Sequence, residues 1–403
     1  MEFLMKPTLF GYGLTTKAIA KKLGGGCTFF DGKAEEAYTD KEGNHILPSS
    51  EFDPEKSKLE VTTPSLKPSH PLIQKAKHLL SEYDYFAKEM PFSIWISGTN
   101  GKTTTTQMLT HILEKRGALS GGNIGTPLAD LDLDAPIWVL ESSSFTLHHT
   151  HTASPDIYLL LPITPDHLDW HGTPEQYEAD KLKPLLSMKE GELALVPKGL
   201  NLPKTNAYLV EYDSNEFIAE YFKLDASKLN YKGAFLQDAL LALAVTKVLF
   251  DEADYDLINQ FKRDAHRQEE LKDSQGRLWV NDSKATNLDA TLQAVKGYSN
   301  QHIHLILGGD DKGVDLNPLF EVMQTLNLTL YTIGANTDKL LALSKTYKIN
   351  VLRSDTIETA IQNIDKVLHN DEVALLSPAA ASFDQFKSYK HRGETFMELV
   401  KKL

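Results

Sequence analysis

The chain has 403 residues, 41% hydrophobic and 24% charged, which is enough for two or three domains with substantial cores. Its formal charge of −13 argues against a nucleic-acid partner. No apolar run reaches membrane-spanning length and the N-terminus lacks a secretory pattern, so no membrane association and a cytoplasmic location are expected; the sole cysteine, Cys27, excludes an intrachain disulfide and a cysteine-based zinc site.

Thr8 to Phe10 read as a short strand, Gly11-Tyr12-Gly13 as a turn, and Leu14-Thr15-Thr16 as the start of a helix that Gly24-Gly25-Gly26 ends. A second strand, Cys27 to Phe30, stops at Asp31. An acidic residue about twenty positions after Gly-x-Gly is the spacing at which a Rossmann unit holds a ribose, although Thr16 stands where a third glycine belongs. Residues 1–90 therefore read as a small nucleotide-binding domain, with a purely structural βαβ start as an equal alternative.

The second block covers residues 91–263. Its apolar run Ile94-Trp95-Ile96 feeds the turn Ser97-Gly98-Thr99-Asn100-Gly101, and the turn feeds a helix opened by Lys102-Thr103-Thr104. In such a phosphate loop, backbone N–H groups and the helix N-terminus cradle a polyphosphate. The lysine reaches the outer phosphates and the next hydroxyl ligates Mg²⁺. Gly98 and Gly101 suit close backbone approach, Lys102 supplies the charge, and Thr103 supplies the metal hydroxyl. The usual glycine five residues before Gly101 is replaced by Ile96.

Strand Ile137 to Leu140 ends in Glu141, placed where a second Mg²⁺ ligand is useful, and is followed by Ser142-Ser143-Ser144, for which the sequence offers no base. Strand Ile157 to Leu161 leads to Asp166-His167-Leu168-Asp169-Trp170-His171, whose spacing suits a divalent ion. Thr173-Pro174 then starts a helix that carries Lys181. Taken by itself, Lys181 reads as a solvated surface lysine. A helix from Phe235 to Phe250 closes the block.

The third block, 264–403, has apolar strands at Leu278–Val280, Ile303–Leu307, Leu328–Ile333, Val351–Leu352 and Val373–Leu376. Polar loops follow three of them: Asn281 to Asn287, Gly308 to Gly313, and Ser377 to Asp384. Strands alternating with helices predict an α/β fold with mostly parallel sheets, so these loops should meet at one crevice.

Gly98–Thr104, Gly122-Asn123-Ile124-Gly125, Glu141–Phe145, Asp166-His167, Lys181, His266-Arg267, Asn281–Thr286, Gly308–Lys312 and Ser377–Phe386, in this order, resemble the Mur ligases over essentially the full chain. Asp384-Gln385-Phe386 favours the D-glutamate-adding branch. The resemblance implies three domains: a Rossmann-like N-terminal domain (1–90), a central P-loop ATPase-type parallel-sheet domain (91–263) and a C-terminal Rossmann-like α/β domain (264–403). It implies an ATP-dependent amide ligase that forms an acyl phosphate, with UDP-N-acetylmuramoyl-L-alanine and D-glutamate as substrates and a monomeric state.

By the same resemblance, Gly98, Thr99, Asn100, Gly101, Lys102, Thr103 and Thr104 hold ATP, joined by Arg267, Asp282 and Lys284. Thr103 and Glu141 ligate one Mg²⁺; His167 and a carbamate on Lys181 ligate a second. Asn123 contacts the acyl group, so Lys102, His167, Lys181 and Asn123 form the catalytic set. Thr286, Lys312, Ser377 and Phe383 hold D-glutamate, and Leu14, Thr15 and Asp31 hold the uridine diphosphate. Two departures stand out: Ala234-Phe235-Leu236-Gln237-Asp238 replaces a His-Asn pattern that holds adenine, and Asp311 replaces a glycine beside Lys312. The alternatives are another amide ligase of the superfamily, such as folylpolyglutamate synthetase, or a nucleotide-binding protein without catalysis.

Overall fold

The computed structural model describes residues 6–403. Three six-stranded sheets follow one another along the chain. The first contains β1 (Thr8–Phe10), β2 (Thr28–Asp31), β3 (Tyr38–Thr39), β4 (His45–Pro48), β5 (Glu60–Thr62) and β6 (Leu79–Leu80), in the order β3-β4-β2-β1-β5-β6. Only β3 runs antiparallel to its neighbour.

The second sheet contains β7 (Phe92–Ser97), β8 (Ala118–Gly122), β9 (Ile137–Glu141), β10 (Ile157–Leu160), β11 (Leu193–Pro197) and β12 (Tyr208–Tyr212). Its order is β12-β11-β10-β7-β9-β8 and every pairing is parallel. Ile94, Trp95 and Ile96 are fully buried, as a central parallel strand covered on both faces requires. From β7 the chain goes out to the edge strand β8, returns to β9 beside β7, and crosses to β10 on the other side of β7, so the ends of β7, β9 and β10 form the switch-point crevice.

The third sheet contains β13 (Glu269–Lys272), β14 (Leu278–Asn281), β15 (Ile303–Leu307), β16 (Leu328–Ile333), β17 (Asn350–Asp355) and β18 (Val373–Leu376), ordered β13-β14-β18-β15-β16-β17. The charged edge strand β13 pairs antiparallel with β14, and the rest are parallel. Because β14, β18 and β15 are neighbours, the three polar loops named above leave adjacent strand ends, as the switch-point reading expects.

Two compact units result: residues 6–230 with 238–260, and residues 231–237 with 261–403. In the first, Leu9, Phe29 and Val61 share a hydrophobic core with Trp95, Trp138 and Tyr158, so the first two sheets are fused by packing. In the second, separate cores cover the two faces of the sheet, one around Leu305, Leu319 and Phe320, the other around Trp279, Ile361 and Phe396. The long apolar helix runs from Gly233 to Phe250, and its stretch Asp238 to Thr246 is buried throughout, the signature of a core helix. Cys27 is buried and unpaired.

Candidate active site

The phosphate loop begins where β7 ends, and the helix Lys102–Leu113 follows it. Gly98 has φ +142° and Gly101 φ +83°, and both are crowded. A Cβ on Gly98 would sit 2.5 Å from the Leu161 side chain, and one on Gly101 would sit 2.8 Å from the Asp238 carboxylate. Only glycine satisfies both the backbone angle and the space. Lys102 Nζ donates to the carbonyls of Gly98 (2.9 Å) and Thr99 (2.8 Å), folding the cation over its own loop. Thr99 Oγ1 donates to Thr164 O at 2.9 Å, tying the loop to the segment after β10. Asn100 and Thr103 are half-buried and Thr104 is buried behind them.

Glu141 ends β9, paired with Ile96 just before the loop. Asn123 Nδ2 donates to Glu141 Oε1 at 2.7 Å. Glu141 Oε2 is buried without any hydrogen-bond partner. An acceptor left so is costly, and a hard cation beside the phosphate loop removes the cost. Glu141 and the Thr103 hydroxyl thus suit Mg²⁺.

The surface-lysine reading of Lys181 is overturned. Thr173 caps the helix Pro174–Leu182 by accepting from the Gln176 N–H, and the helix turns Tyr177, Asp180 and Lys181 inward. Lys181 is 1% exposed. Its Nζ donates to Gly98 O at 2.7 Å and lies 4.7 Å from the Tyr177 ring centre. Burial, then the Lys102 ammonium, hold its pKa well below the usual lysine value, against the pull of Asp166, Asp180 and Glu141. A lysine so placed has access to its neutral, nucleophilic amine, the form that adds CO₂.

His167 adopts φ +53° as the N-cap of the short helix Leu168–His171. Its side chain is half exposed, with Asp166 Oδ2 3.7 Å from Nε2. Burial, with the Lys102 and Lys181 charges, keeps the imidazole pKa below its ordinary value despite Asp166. It is therefore a neutral nitrogen donor at pH 7.

The Asp166-to-His171 run does not act as one cluster, which corrects the expectation from spacing. His171 turns inward: Nδ1 lies 2.7 Å from Asp180 Oδ2 and Nε2 lies 3.0 Å from Ser144 Oγ. His148 Nδ1 meets the same carboxylate at 2.9 Å, and the Gln176 amide donates to its other oxygen. The base that the sequence does not offer to the serine run therefore exists. Ser144 is only 4% exposed, however, so no substrate reaches it. This network joins three helices, Ser144–His149, Leu168–His171 and Pro174–Leu182, directly behind His167 and Lys181.

In the first sheet, Asp31 accepts from the Tyr12 N–H (2.6 Å) and the Lys33 N–H (2.7 Å), fixing the glycine turn. Leu14 is 65% exposed beside the half-buried Thr15, at the start of the helix Leu14–Lys22.

In the second unit, Asp282 is buried at the end of β14 and accepts from Ser377 Oγ at 2.8 Å and the Gln268 N–H at 3.2 Å. Burial raises its pKa to about 7, against the Ser377 and Gln268 bonds and the charges of Arg267 and Arg263. Arg392, 1% exposed, donates to Ser283 O (2.9 Å) and Ala380 O (3.1 Å), joining the loops after β14 and β18. Lys284 Nζ lies 4.2 Å from the Tyr389 ring centre. Arg267 lies 4.0 Å from Asp264, at the limit of an ion pair. Of the four residues expected to hold D-glutamate, Ser377 is fully buried and engaged with Asp282, while Thr286, Lys312 and Phe383 are exposed on the surrounding loops. Lys312 has φ +52°. Asp311 accepts from Lys339 (2.8 Å), Asn336 (3.0 Å) and the Gly313 N–H (2.9 Å), so it braces the turn that carries Lys312. Phe235, in the departing segment, stacks with the Arg263 guanidinium at 4.8 Å.

Two contributors escape the sequence patterns. Tyr177 lies four residues before Lys181, a spacing that put it on the same helix face and could have been read. Asp238 accepts from Thr105 Oγ1 at 3.0 Å across 133 residues, and no local signal announces that.

Residues 96–234 match the family model of the Mur ligase middle domain. The chain is 50% identical, over 99% of its length and 100% of the relative's, to a UDP-N-acetylmuramoylalanine–D-glutamate ligase of Campylobacter jejuni. It is 46% identical to one from Helicobacter pylori, with the same coverage. In fold it matches a MurF ligase from Thermotoga maritima in complex with ADP, with TM-score 0.61, 16% identity and coverage of 100% and 99%. It also matches E. coli FolC in complex with DHPP and ADP, with TM-score 0.54, 17% identity and coverage of 78% and 89%.

Proposed function

The chain belongs to the Mur ligases, in the UDP-N-acetylmuramoylalanine–D-glutamate ligase branch, and from that premise we propose how its residues divide the reaction. The enzyme joins D-glutamate to UDP-N-acetylmuramoyl-L-alanine at the expense of ATP, a step of peptidoglycan precursor synthesis. The substrate carboxylate attacks the γ-phosphorus of ATP, giving an acyl phosphate and ADP. The D-glutamate amine attacks the acyl carbon, loses its proton, and the tetrahedral intermediate expels phosphate.

We assign the phosphates of ATP to the backbone from Gly98 to Thr104, with Lys102 leaving its loop carbonyls for the transferring phosphoryl group. Thr103 and Glu141 would hold one Mg²⁺, and His167 with carbamylated Lys181 a second. When bound, these ions supply positive charge to the phosphoryl and acyl oxygens. The observation that carries this reading is the unpartnered, buried Glu141 Oε2 beside the loop over which Lys102 folds. Asn123, held on Glu141 Oε1, lies within the same strand-end group and is assigned to the acyl group. Arg267, Asp282 and Lys284 are assigned to ATP, and Thr286, Lys312, Ser377 and Phe383 to D-glutamate. Leu14, Thr15 and Asp31 are assigned to the uridine diphosphate.

The domain division 1–90, 91–263 and 264–403 is proposed with these roles, as are a monomeric state and a cytoplasmic location. The test is phosphate release from ATP. It should require both UDP-N-acetylmuramoyl-L-alanine and D-glutamate, and L-glutamate or meso-diaminopimelate should not replace the latter. Turnover with either alternative amino acid would overturn the acceptor assignment.

A further inference from the structure

The third-sheet loops assigned to ATP and D-glutamate lie at the carboxyl ends of its parallel strands, yet a separate group of metal-ligand side chains lies at their amino end. His302 immediately precedes β15 and His304 is the second residue of that strand, so the two imidazoles share a face. Glu372 immediately precedes β18, and the Ile303–Val373 register brings it abreast of them. The Val373 N–H donates to His302 O at 3.0 Å and fixes that register.

His302 Nδ1 lies 2.9 Å from Glu372 Oε1, and His304 Nε2 lies 3.1 Å from Oε2. The ligand atoms of the three residues all lie within 4.8 Å of one another. In a tetrahedral site with bonds of about 2.0 Å, neighbouring donors are about 3.3 Å apart. The two nitrogen–oxygen separations therefore need to open by only a few tenths of an ångström, and the two nitrogens, within 4.8 Å of one another, need only a small ring rotation to share an ion. The far nitrogen of each ring is held by a hydroxyl from β16: His302 Nε2 lies 3.0 Å from Thr329 Oγ1, and His304 Nδ1 lies 3.1 Å from Tyr331 Oη. Hydroxyls both donate and accept, so these partners satisfy either tautomer and allow both rings to turn lone pairs toward the carboxylate side. Oriented imidazoles of this kind are what a bound transition ion requires. Access is graded as well: the His304 side chain is 3% exposed, Glu372 15% and His302 25%, which gives a rigid inner ligand and an open outer side for water.

The plain alternative is a carboxylate neutralised by two imidazole N–H groups, aided by the His369 N–H at 2.9 Å. We propose instead that His302, His304 and Glu372 form a site for a divalent ion of the Zn²⁺ class, with water as the fourth ligand. Two nitrogens and a carboxylate suit Zn²⁺, Co²⁺ or Ni²⁺ and not Mg²⁺ or Ca²⁺. The five residues of β15 separate this site from Gly308 by about 16 Å. The ion therefore clips β15 to β18 and takes no part in ligation.

The full chain, stripped with chelator and held in excess Mg²⁺, is titrated with Zn²⁺ and with Co²⁺. The wild type should bind Zn²⁺ stoichiometrically at low micromolar concentration, gain several degrees in unfolding temperature, and give a tetrahedral Co²⁺ absorption band. His302→Asn and Glu372→Gln should each lose at least about tenfold in affinity together with the band, while ligation by His302→Asn stays within twofold of wild type. His148→Asn, which alters the His148–His171–Asp180 cluster, should keep both the band and the shift. Independently of any variant, Zn²⁺ should protect His302 of the wild type from diethyl pyrocarbonate, read by mass spectrometry. Equal Zn²⁺ affinity and stoichiometry in wild type and His302→Asn, loss of the shift in His148→Asn alone, or unprotected His302 at saturating Zn²⁺ would each overturn the proposal.

Discussion

The switch-point end of the second sheet and the carboxyl end of the third differ in how their buried polar groups are satisfied. Around β7, β9 and β10 two charged groups are buried without a counter-charge: Glu141 has a bare carboxylate oxygen, and Lys181, donating to Gly98 O, is enclosed beside Lys102. Around β14, β18 and β15 the buried groups are satisfied, Asp282 by Ser377 and Arg392 by the carbonyls of Ser283 and Ala380, and the proposed recognition groups Lys312, Thr286 and Phe383 stand in solvent. The difference teaches where stability is surrendered. At the proposed ATP and metal site the Glu141 carboxylate keeps one oxygen desolvated and unsatisfied, at a cost the surrounding core offsets. The groups we propose to select the amino acid rest on a satisfied platform.

The sharpest break of this comparison is Lys102→Ala. Ligation should fall by at least about 100-fold, measured as phosphate release, while the unfolding temperature moves by less than about 2 °C. Retention of a tenth of the wild-type rate would remove the phosphate loop from the chemistry. Next comes Lys181→Ala, nearly inactive but partly restored by acetate, because the proposed second ion would need an anion in the vacated space. Lys181→Arg should stay inactive, since a guanidinium keeps its charge and takes up no CO₂. An active, folded Lys181→Arg would return the residue to a packing role.

On the third-sheet side the effects should be smaller. Asp311→Gly, which removes the brace to Lys339 and Asn336, should raise the KM for D-glutamate about two- to fivefold and leave kcat and the KM for ATP unchanged. A matching rise in the ATP KM would separate Lys312 from the amino acid. The smallest effect concerns pH. Folded Asp282 titrates near 7 where the unfolded carboxyl titrates near 4, so the folded state holds the proton more tightly. Its contribution to stability is complete below about pH 4 and is lost as pH rises to about 7. In Asp282→Asn the decline in unfolding temperature between pH 5 and 8 should be shallower by a few degrees, and an unchanged slope would disconnect Asp282 from it.

Legibility followed the range over which each interaction acts. The loop from Gly98 to Thr104 could be read because phosphate binding imposes a local order of glycine, lysine and hydroxyl. Strands such as β7, β15 and β18 could be read because both their faces are buried and their apolar runs are unbroken. Two-residue β3 and the Gly-ending strand β8 carry too little pattern, and the charged β13 resembles a solvated turn. Burial of Lys181 was invisible locally: its helix is polar on average, and only contact with Gly98, 83 residues away, makes its inward face an interior. The same holds for Asp238 beneath the phosphate loop and for His171, whose spacing suggests a metal but whose partners come from two other helices.

The chain Ser144–His171–Asp180–His148 has a consequence for how the protein ages under heat. The helices it ties are six, four and nine residues long, too short to persist alone in water. They survive as a cooperative unit whose opening carries His167 and Lys181 away together. Leu147 and Leu182 anchor the unit in the core of the first two sheets, while His148 and His167 at its partly exposed edge let it loosen ahead of that core's centre. Warming should then silence the enzyme several degrees before the main loss of helix that circular dichroism records, with only a small early decrease, and cooling should restore activity as long as the surrounding sheets have held.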